Sequence, residues 1–512
     1  MFMWLWILTS RSVRWLCFGG LLCICLSVAN AAELRIGVKG FPVTLAHPYV
    51  AANPISDAVL RAVFDGLTRL DANGVPVPAL ALSWQTLTST SWRFKLRRDA
   101  VFSNGEPFNA AAVTATLLWL QSPEGARTSM GRHARGIERV EVEDPHSIII
   151  HTAQPDAILP YRLSAIALVA PRAWRELGPE AFARTPAGTG AFTLDDWGSA
   201  SGRITLKANF DSWCAPKVDS LVLINFPDAA ARVEALLSGR IHIASGLGLE
   251  NIEAAQAGGA FVSPAPAMSV AAIALRQDSG RASPLKDARV RQALNYAIDK
   301  TQLNTEILRG LSAPSGQPAG RWTSGHNPNV RPYPYDPDQA KALLFDAGIV
   351  TSFGLRFDVV TGRAPGDAAM MDIIAAQLKD VGIDAEMREI PYGRWLQSFA
   401  SGIWPNDTDG FMLPFDSMPI NDVQSALEPY SCANPAPFFC DEGLTAEIVA
   451  VNEEMMFTKR LGLLDSLAQK IHDLAPAIFL TEQFDLFAVS RDVSGFAVAG
   501  RVPIYESVSV DE

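Results

Sequence analysis

One stretch of the sequence restricts the fold more than any other, because a strand, a helix and a second strand follow one another without a long interruption. Residues 355–360 form an apolar run typical of a strand. Residues 367–381 have the apolar spacing of a helix that ends before Gly382, and residues 383–390 again indicate a strand. A strand–helix–strand unit brings its second strand back parallel to the first. The sequence therefore predicts an α/β fold with a sheet that is at least partly parallel.

The rest of the chain alternates between strand and helix patterns in the same way. Short alternating runs predict strands over residues 34–38, 92–96 and 147–151. Asp228 and Asp336 precede helical patterns as N-caps, and a third helix is expected over residues 287–300. With 512 residues the chain is long enough for several domains. We expect an α/β protein of more than one lobe.

Charge and composition exclude several classes of protein. The formal net charge is −11, which disfavours a nucleic-acid binder and a cationic membrane-surface protein. Hydrophobic residues make up 48% of the chain and charged residues 19%, so a long disordered chain is excluded. Beyond the N-terminus no apolar run reaches the length of a membrane-spanning helix, which excludes a polytopic membrane protein.

The first 31 residues have the order of a secretory signal peptide. Arg11 and Arg14 precede an apolar stretch over residues 15–29, and the sequence Ala-Asn-Ala at residues 29–31 fits a cleavage site. We expect cleavage after Ala31 and export of the mature chain. The alternative is an uncleaved membrane anchor, which the apolar residues 1–8 would support.

Export changes the interpretation of the cysteines. Three of the six cysteines lie in the predicted signal peptide, and Cys214, Cys432 and Cys440 remain. Cys432 and Cys440 flank a short loop, and in an oxidising compartment we expect them to form a disulfide that stiffens this loop. The alternative is a pair of unbonded buried thiols. Cys214 is expected to be buried.

Motifs of covalent catalysis are weak or absent. Ser283 and Lys286 fit the Ser-x-x-Lys pattern of penicillin-interacting enzymes, but neither Ser-Asp-Asn nor Lys-Thr-Gly occurs. The seven histidines show no metal-ligand spacing. An exported serine hydrolase that acts through Ser283 and Lys286 is therefore a remote alternative. We expect no enzymatic activity, no cofactor and no resident metal.

Several blocks of the mature sequence resemble one family. The most specific is WRFKLRRDAVFSNGEPF at residues 92–108, which is similar to the signature stretch of the large solute-binding proteins of ABC importers for peptides and nickel (family 5). Two further blocks precede it and four come after it, all in the order of the family: residues 64–70, 77–84, 188–192, 235–243, 290–300 and 335–344. In two of them the sequence departs from the family pattern, with Ala191 in place of the usual Pro and His242 in place of the usual Asp.

This resemblance implies a periplasmic binding protein type II-like α/β fold, with two lobes, a hinge and an additional domain inserted in the first lobe. We expect lobe I over residues 32–65, 187–265 and 480–512, the inserted domain over residues 66–186, and lobe II over residues 266–479. The resemblance implies a periplasmic monomer that captures a ligand by hinge closure. It would deliver the ligand to an ABC permease and ATPase, and would meet the membrane only through the permease.

The resemblance also suggests a ligand and candidate binding residues. Peptide-binding members present an Asp to the peptide's amino terminus, and the corresponding stretch at residues 409–422 makes Asp416 the candidate, unless it caps a loop. We expect a short peptide or a peptide-like solute. A nickel–chelator complex is the alternative, although nickel members carry a His on this loop, where the present chain has none.

Arginine and aromatic residues complete the candidates. Arg132 resembles an Arg that contacts the chelator's carboxylate in nickel members, with a solvated surface position as the alternative. Aromatic side chains form apolar walls in such clefts. Five further residues are expected at the cleft, with core packing as the alternative for the aromatic residues near the strand–helix–strand unit: His47, Tyr49, Tyr392, Trp395 and Trp404.

Overall fold

Eleven strands join into one mixed sheet that extends through the molecule. The structure is a computed structural model that describes residues 32–50, 54–198, 201–278, 283–434 and 437–511, so the predicted signal peptide lies outside the described residues. Ten strands follow one another across the sheet, and Phe415–Asp416 pairs with the fourth of them. Their order is Ile383–Glu389, Phe353–Val359, Gly410–Met412, Phe261–Leu275, Ala477–Val489, Ile243–Ser245, Glu33–Val38, Ser220–Asn225, Arg203–Ala208 and Phe192–Asp196.

The predicted strand–helix–strand unit is confirmed at one edge of this sheet. Phe353–Val359 and Ile383–Glu389 pair in parallel, and the helix Asp367–Asp380 connects them. Asp367 begins this helix and accepts hydrogen bonds from the backbone N–H groups of Gly362, Arg363, Ala364 and Ala368. These four donors hold the loop at residues 362–366 in a fixed shape at the carboxyl end of the first strand.

Two long strands, Phe261–Leu275 and Ala477–Val489, form the middle of the sheet and pair antiparallel. Alternate residues of the first strand enter different hydrophobic clusters on the two faces, with Ala271 and Ile273 on one side and Val270 and Ala272 on the other. Burial on both faces explains why this stretch is apolar without alternation. The expected domain boundaries at 265/266 and 479/480 both fall within these strands, and they remain a prediction.

A second, four-stranded antiparallel sheet lies in the N-terminal half, with the strand order Ala81–Thr88, Ser91–Leu96, Ser147–Thr152 and Ile137–Asp144. The other strands form two-stranded pairs: Thr68–Leu70 with Pro76–Pro78, Val493–Ser494 with Ser509–Val510, and Val498–Ala499 with Val502–Pro503. The predicted strands at residues 34–38, 92–96 and 147–151 are confirmed within one residue at each end.

Helices cover the two sheets, and those that the sequence predicts begin at the expected residues. Asp228 and Asp336 accept the N-cap hydrogen bonds that the sequence predicts. The helix expected over residues 287–300 is shorter, because it ends at Tyr296 and Asp299 caps a separate turn. The α-helices are Pro54–Val63, Ala110–Gln121, Gly131–Ala134, Leu159–Ala165, Pro171–Phe182, Ala229–Leu237, Ile252–Ala257, Ala288–Tyr296, Lys300–Gln302, Pro337–Asp346, Asp367–Asp380, Tyr392–Ser401, Val423–Leu427, Glu442–Glu453 and Phe457–Leu474.

Candidate functional site

A cavity of about 500 Å³ lies where the loop at residues 362–367 faces the helix Tyr392–Ser401 and the segment at residues 412–418. Its size suits a small organic ligand. The charged residues of its lining are Arg132, Arg135, Arg363, Asp367, Asp416 and Glu428. The apolar residues of its lining are Val360, Ala364, Tyr392, Trp395, Phe399, Met412, Leu413, Pro414, Met418, Ala426 and Pro429.

Asp416 ends a two-residue strand whose partner is Ser269 in the long strand Phe261–Leu275. The described residues give its carboxylate one hydrogen bond, in which the backbone N–H of Met418 donates to Oδ1 at 2.9 Å. Solvent reaches the carboxylate from the cavity. Dense protein around it nevertheless disfavours the charged form, and this desolvation raises the pKa of Asp416. The Met418 N–H and the cations Arg501 and Arg132 moderate the rise.

The neighbouring aspartates of the segment at residues 409–422 have structural partners. Asp409 is buried, and its Oδ2 accepts a hydrogen bond from the backbone N–H of Arg356 at 2.9 Å. Asp422 is fully buried and pairs with Arg460, whose Nη2 lies 3.0 Å from each carboxylate oxygen. Of these three carboxylates, only Asp416 lines the cavity.

Three arginines bring positive charge to the cavity. Arg132 donates from Nε to His133 Nε2 at 3.2 Å, and burial lowers the pKa of His133 to about 3, so the ring beside Arg132 is neutral. Arg363 lies over the ring of Tyr392, with its guanidinium carbon 3.9 Å from the ring centroid. In the described part of the chain no carboxylate forms an ion pair with Arg132, Arg135 or Arg363. Each guanidinium is therefore available to an anionic ligand.

A stack of aromatic rings forms one wall of the cavity. The helix Tyr392–Ser401 places Tyr392, Trp395 and Phe399 on one face, since their spacing of three and four residues is helical. Successive ring centroids lie 5.9 Å and 5.1 Å apart, with interplanar angles of 12° and 8°. The indole N–H of Trp395 donates to the carbonyl oxygen of Met412 at 2.8 Å, which fixes the middle ring.

Two candidates that the sequence places at the cleft lie instead in an aromatic core cluster. Tyr49 is fully buried, donates from its hydroxyl to the carbonyl oxygen of Ala167 at 2.9 Å and stacks on Trp119 at 5.1 Å. The ring of half-buried His47 lies edge-on to Trp174 at 5.8 Å, and burial lowers its pKa. Neither residue lines the cavity that holds Asp416, because the rings of their neighbours enclose both side chains.

Trp404 is also a core residue and does not line the cavity. Only 6% of it is exposed, and it stacks on Phe411 with the ring centroids 3.7 Å apart. It lies behind Trp395, at a ring distance of 6.5 Å, and so supports the aromatic wall from the inside. The cavity thus brings together four of the seven predicted residues, namely Asp416, Arg132, Tyr392 and Trp395.

Arg363 and Phe399 line the cavity, but the sequence patterns above do not single them out. Arg363 follows the first strand of the strand–helix–strand unit, at the carboxyl end of a parallel strand, where α/β proteins place their ligands. That position is the signal that could have identified it. Phe399 lies at helical spacing from Trp395, so the aromatic pattern of this helix indicates it in retrospect.

A second cavity of about 590 Å³ adjoins the first and shares Arg363, Ala364 and Asp367 with it. Arg501 and Asp485 line this second cavity and form a bidentate ion pair, with N–O distances of 2.6 and 2.8 Å. Burial and the nearby Arg363 guanidinium lower the pKa of Lys39, another residue of its lining. The two cavities together offer room and charge for a ligand with ionic groups at both ends.

A disulfide joins Cys432 to Cys440, the pairing that the sequence predicts. It closes the loop that carries Asn434, a residue of the cavity lining. Cys214 is only half-buried rather than buried, and desolvation raises the pKa of its thiol to about 12. The disulfide thus restrains a segment beside the cavity, whereas Cys214 lines a different cavity of about 230 Å³.

The groups required by the alternative functions do not assemble around the cavity. Ser283 is buried and its hydroxyl caps a short turn by accepting from the N–H of Leu285, while Lys286 is exposed. No histidine belongs to the lining of the first cavity. Over the described ranges, no three His, Cys, Asp or Glu residues come together in a group that could hold a metal ion. Over the same residues, no helix has the length and apolar character needed to cross a membrane.

Comparison with known proteins gives a consistent result. A Pseudomonas aeruginosa protein described as probable di/tripeptide-binding protein 5 is 25% identical over 517 residues, which span 92% of this chain and 94% of that protein. The periplasmic binding protein DppA from Helicobacter pylori, solved in complex with the peptide STSA, has a TM-score of 0.75 at 21% identity and covers 94% of this chain and 99% of its own. NikZ from Campylobacter jejuni, solved with Ni(L-His), has a TM-score of 0.76 at 20% identity and covers 93% and 99%.

The two solved structures show the fold and do not separate peptide from nickel ligands. The model of the bacterial extracellular solute-binding proteins, family 5, matches residues 75–420, which is more than half of the sequence. The expected family and the type II-like α/β fold are confirmed. The chain belongs to the bacterial extracellular solute-binding proteins of family 5.

Proposed function

We propose that the protein binds a short peptide or peptide-like solute between its lobes, with Asp416 as the partner of the ligand's ammonium group. The observation that carries this proposal is that the Asp416 carboxylate lies in a cavity of about 500 Å³, where the described residues offer it one hydrogen-bond donor, a backbone N–H. A desolvated carboxylate gains most from a cation that arrives with the ligand, because leaving the charge unpaired is costly.

Arg363 is the proposed partner of the ligand's carboxylate. Its guanidinium is held over Tyr392 and lies in the wall that both cavities share, where its five N–H donors can meet a carboxylate through two parallel hydrogen bonds. Arg132 and Arg135 add positive charge at another part of the same lining. A zwitterionic ligand would therefore find a complementary charge for each of its ends.

Closure around the ligand would use the two long central strands as a hinge. The pairing between Phe261–Leu275 and Ala477–Val489 is irregular at residues 266–272, and Met268 has a positive φ of 54°. The backbone N–H of Ser417 donates to the carbonyl oxygen of Met268 at 3.1 Å, so the segment that carries Asp416 is attached to this irregular point. A ligand held by Asp416 would bear directly on the hinge. We place the boundaries of the lobes at 265/266 and 479/480.

The remaining parts of the proposal concern transport. The mature protein would act as a periplasmic monomer after cleavage behind Ala31 and would hand its ligand to an ABC permease and ATPase without chemistry of its own. The name of the Pseudomonas aeruginosa relative, a probable di/tripeptide-binding protein, supports a peptide ligand. The nickel alternative is not favoured, because the cavity lining contains no histidine.

Native mass spectrometry with elemental analysis tests this function on protein purified from its own periplasm. We expect bound species with the masses of short peptides and no stoichiometric metal. The Asp416→Asn variant, purified in parallel, should carry much less of these species at an unchanged melting temperature. One metal per chain together with a small chelator would overturn the proposal.

A further inference from the structure

We propose that the aromatic wall of the cavity is a specificity subsite that selects peptides with a bulky apolar side chain, aromatic ones above all. This inference rests on the proposed function, because it concerns the side chain of the peptide that Asp416 and Arg363 would hold by its ends. It adds a chemical class of ligand to a cavity whose charged groups alone would accept any short peptide.

The wall consists of rings in fixed positions. Trp395 lies parallel to both Tyr392 and Phe399, its N–H is already bonded to Met412, and Trp404 packs behind it edge-on. The polar end of the indole is therefore unavailable to a ligand, and the parts of the three rings that their neighbours leave uncovered are the apolar surface that remains. Aromatic faces pair well with further rings in offset-stacked or edge-to-face geometry.

Other residues of the lining are apolar and adaptable. Leu413 and Met412 are less than 10% exposed and still line the cavity, and Met418 adds a second thioether. Methionine side chains adjust to irregular shapes and make favourable contacts with aromatic rings. A ring or a branched aliphatic group would be enclosed by such surfaces. A carboxylate side chain would gain only from an arginine of the lining that the ligand's own carboxylate does not already occupy.

The helix that carries the rings has an unusual distribution of exposure. Its apolar residues lie on one face, yet none of its ten residues is buried. Tyr392 retains 42% exposure, and Trp395 and Phe399 are only half-buried although they pack beside a hydrophobic core. An apolar group of the ligand would remove this ring surface from water, which makes binding stronger in proportion to the apolar area covered.

Isothermal titration calorimetry with a panel of tripeptides tests the proposal. The panel contains trialanine, the three peptides with one Phe in place of Ala, and the three with one Glu in place of Ala. We expect at least one Phe peptide to bind tenfold more tightly than trialanine, and no Glu peptide to do so. In Trp395→Ala the preference for Phe should fall below threefold while the affinity for trialanine changes less than threefold.

Two further variants keep the test decisive. Phe399→Ala should lower the same preference if Trp395→Ala fails to fold. Gln397→Ala, a change at an exposed polar residue of the same helix outside the lining, should leave the preference unchanged. Equal affinities for all seven peptides, or equal losses for trialanine and Phe peptides in Trp395→Ala, would overturn the subsite and leave the proposed function standing. Binding of none of the peptides would overturn both.

Discussion

Asp416 and Asp422 lie in one connecting segment of the chain but have opposite surroundings. Asp422 is fully buried, and its carboxylate accepts hydrogen bonds from Arg460, Ser324 and a backbone N–H. Asp416 is open to the cavity and accepts one hydrogen bond, from the backbone N–H of Met418. Among the described residues, the first carboxylate has a charged partner in the protein, whereas the second faces the cavity with a backbone N–H as its donor.

The difference indicates a division of roles within the segment. An unpaired carboxylate can receive a ligand in a defined position only if the backbone that carries it is held firmly. Asp422 supplies one anchor through Arg460, and Asn421 supplies another by donating to the carbonyl oxygens of Gly74 and Trp322. The buried ion pair thus fixes the geometry, and the open carboxylate is the group that the proposed function assigns to ligand binding.

The largest expected effect is on stability and concerns Asp422. Its replacement by alanine leaves the Arg460 guanidinium buried without a counter-charge, which should lower the free energy of unfolding by about 3–5 kcal/mol. Urea denaturation of the oxidised protein measures this change. Asp416→Asn is the matched comparison and should be as stable as the wild type or slightly more so, because it removes a desolvated charge. Equal losses in both variants would contradict the division of roles.

The next effect is on affinity and concerns Asp416. Asp416→Asn keeps the shape of the side chain but removes its charge, so the affinity for a short peptide should fall by more than tenfold. Calorimetry with the free peptide and with its N-acetylated form separates the contribution of the peptide's ammonium group from that of the rest of the peptide. Acetylation should weaken binding to the wild type and should cause no additional loss in the variant. Independent, additive losses would show that the carboxylate and the amino terminus do not meet.

A pH series refines the assignment. Burial raises the pKa of Asp416 above the ordinary value of 3.8, so on acidification this carboxyl takes up a proton earlier than a solvated Asp and loses its attraction for an ammonium group. Peptide affinity should therefore fall as the pH decreases toward and through that raised pKa. Asp416→Asn should show a flat profile over the same range.

The charged neighbours of Asp416 define the control for this series. Arg501, Arg132 and Asp485 are the charged neighbours that act on the pKa of Asp416, the two arginines by lowering it and Asp485 by raising it. Asp57 is a second carboxyl near Arg501, and burial raises its pKa to about 6. A pH dependence of peptide affinity that persists in Asp416→Asn but disappears in Asp57→Asn would assign the titration to Asp57. It would contradict the role proposed for Asp416.

Local signals explain why much of the fold could be predicted. The strand–helix–strand unit and the helix starts at Asp228 and Asp336 depend on residues close together in sequence, and the structure forms them as expected. The residues of the site could not be predicted in this way, because burial decides which side chains line the cavity. Asp422 differs from Asp416 in its burial and in side-chain partners far away in sequence, Arg460 at a separation of 38 residues and Ser324 at 98.

The aromatic candidates show the same limit. Trp395 and Trp404 lie nine positions apart and read alike in the sequence, but the structure places the first in the cavity wall and the second behind it on Phe411. Tyr49 is expected at the cleft from its place after the first strand, but rings from Trp119 and Trp174 enclose it. Long-range packing decides which ring lines the cavity, and no local sequence pattern reports that packing.

The smallest expected effect concerns the anchor between Asp416 and Asp422. Gly74 has a positive φ of 74°, and a Cβ at this position would lie 1.6 Å from Nδ2 of Asn421. Gly74→Ala should therefore displace the turn at residues 71–75 and break the hydrogen bond that Asn421 donates to it. Since the cavity lining is untouched, we expect peptide affinity to fall only a few-fold, with the loss appearing as faster dissociation in surface plasmon resonance.

The matched control lies in the same turn. The side chain of Asn73 is exposed, so Asn73→Ala should leave both affinity and dissociation rate unchanged. A Gly74→Ala variant with wild-type kinetics would show that the segment needs no anchor beyond Asp422 and Arg460. A loss as large as that of Asp416→Asn would instead show that the position of the open carboxylate depends on the turn as much as its charge does. Either result would change which residues of this segment are assigned to the structural part and which to the ligand-binding part.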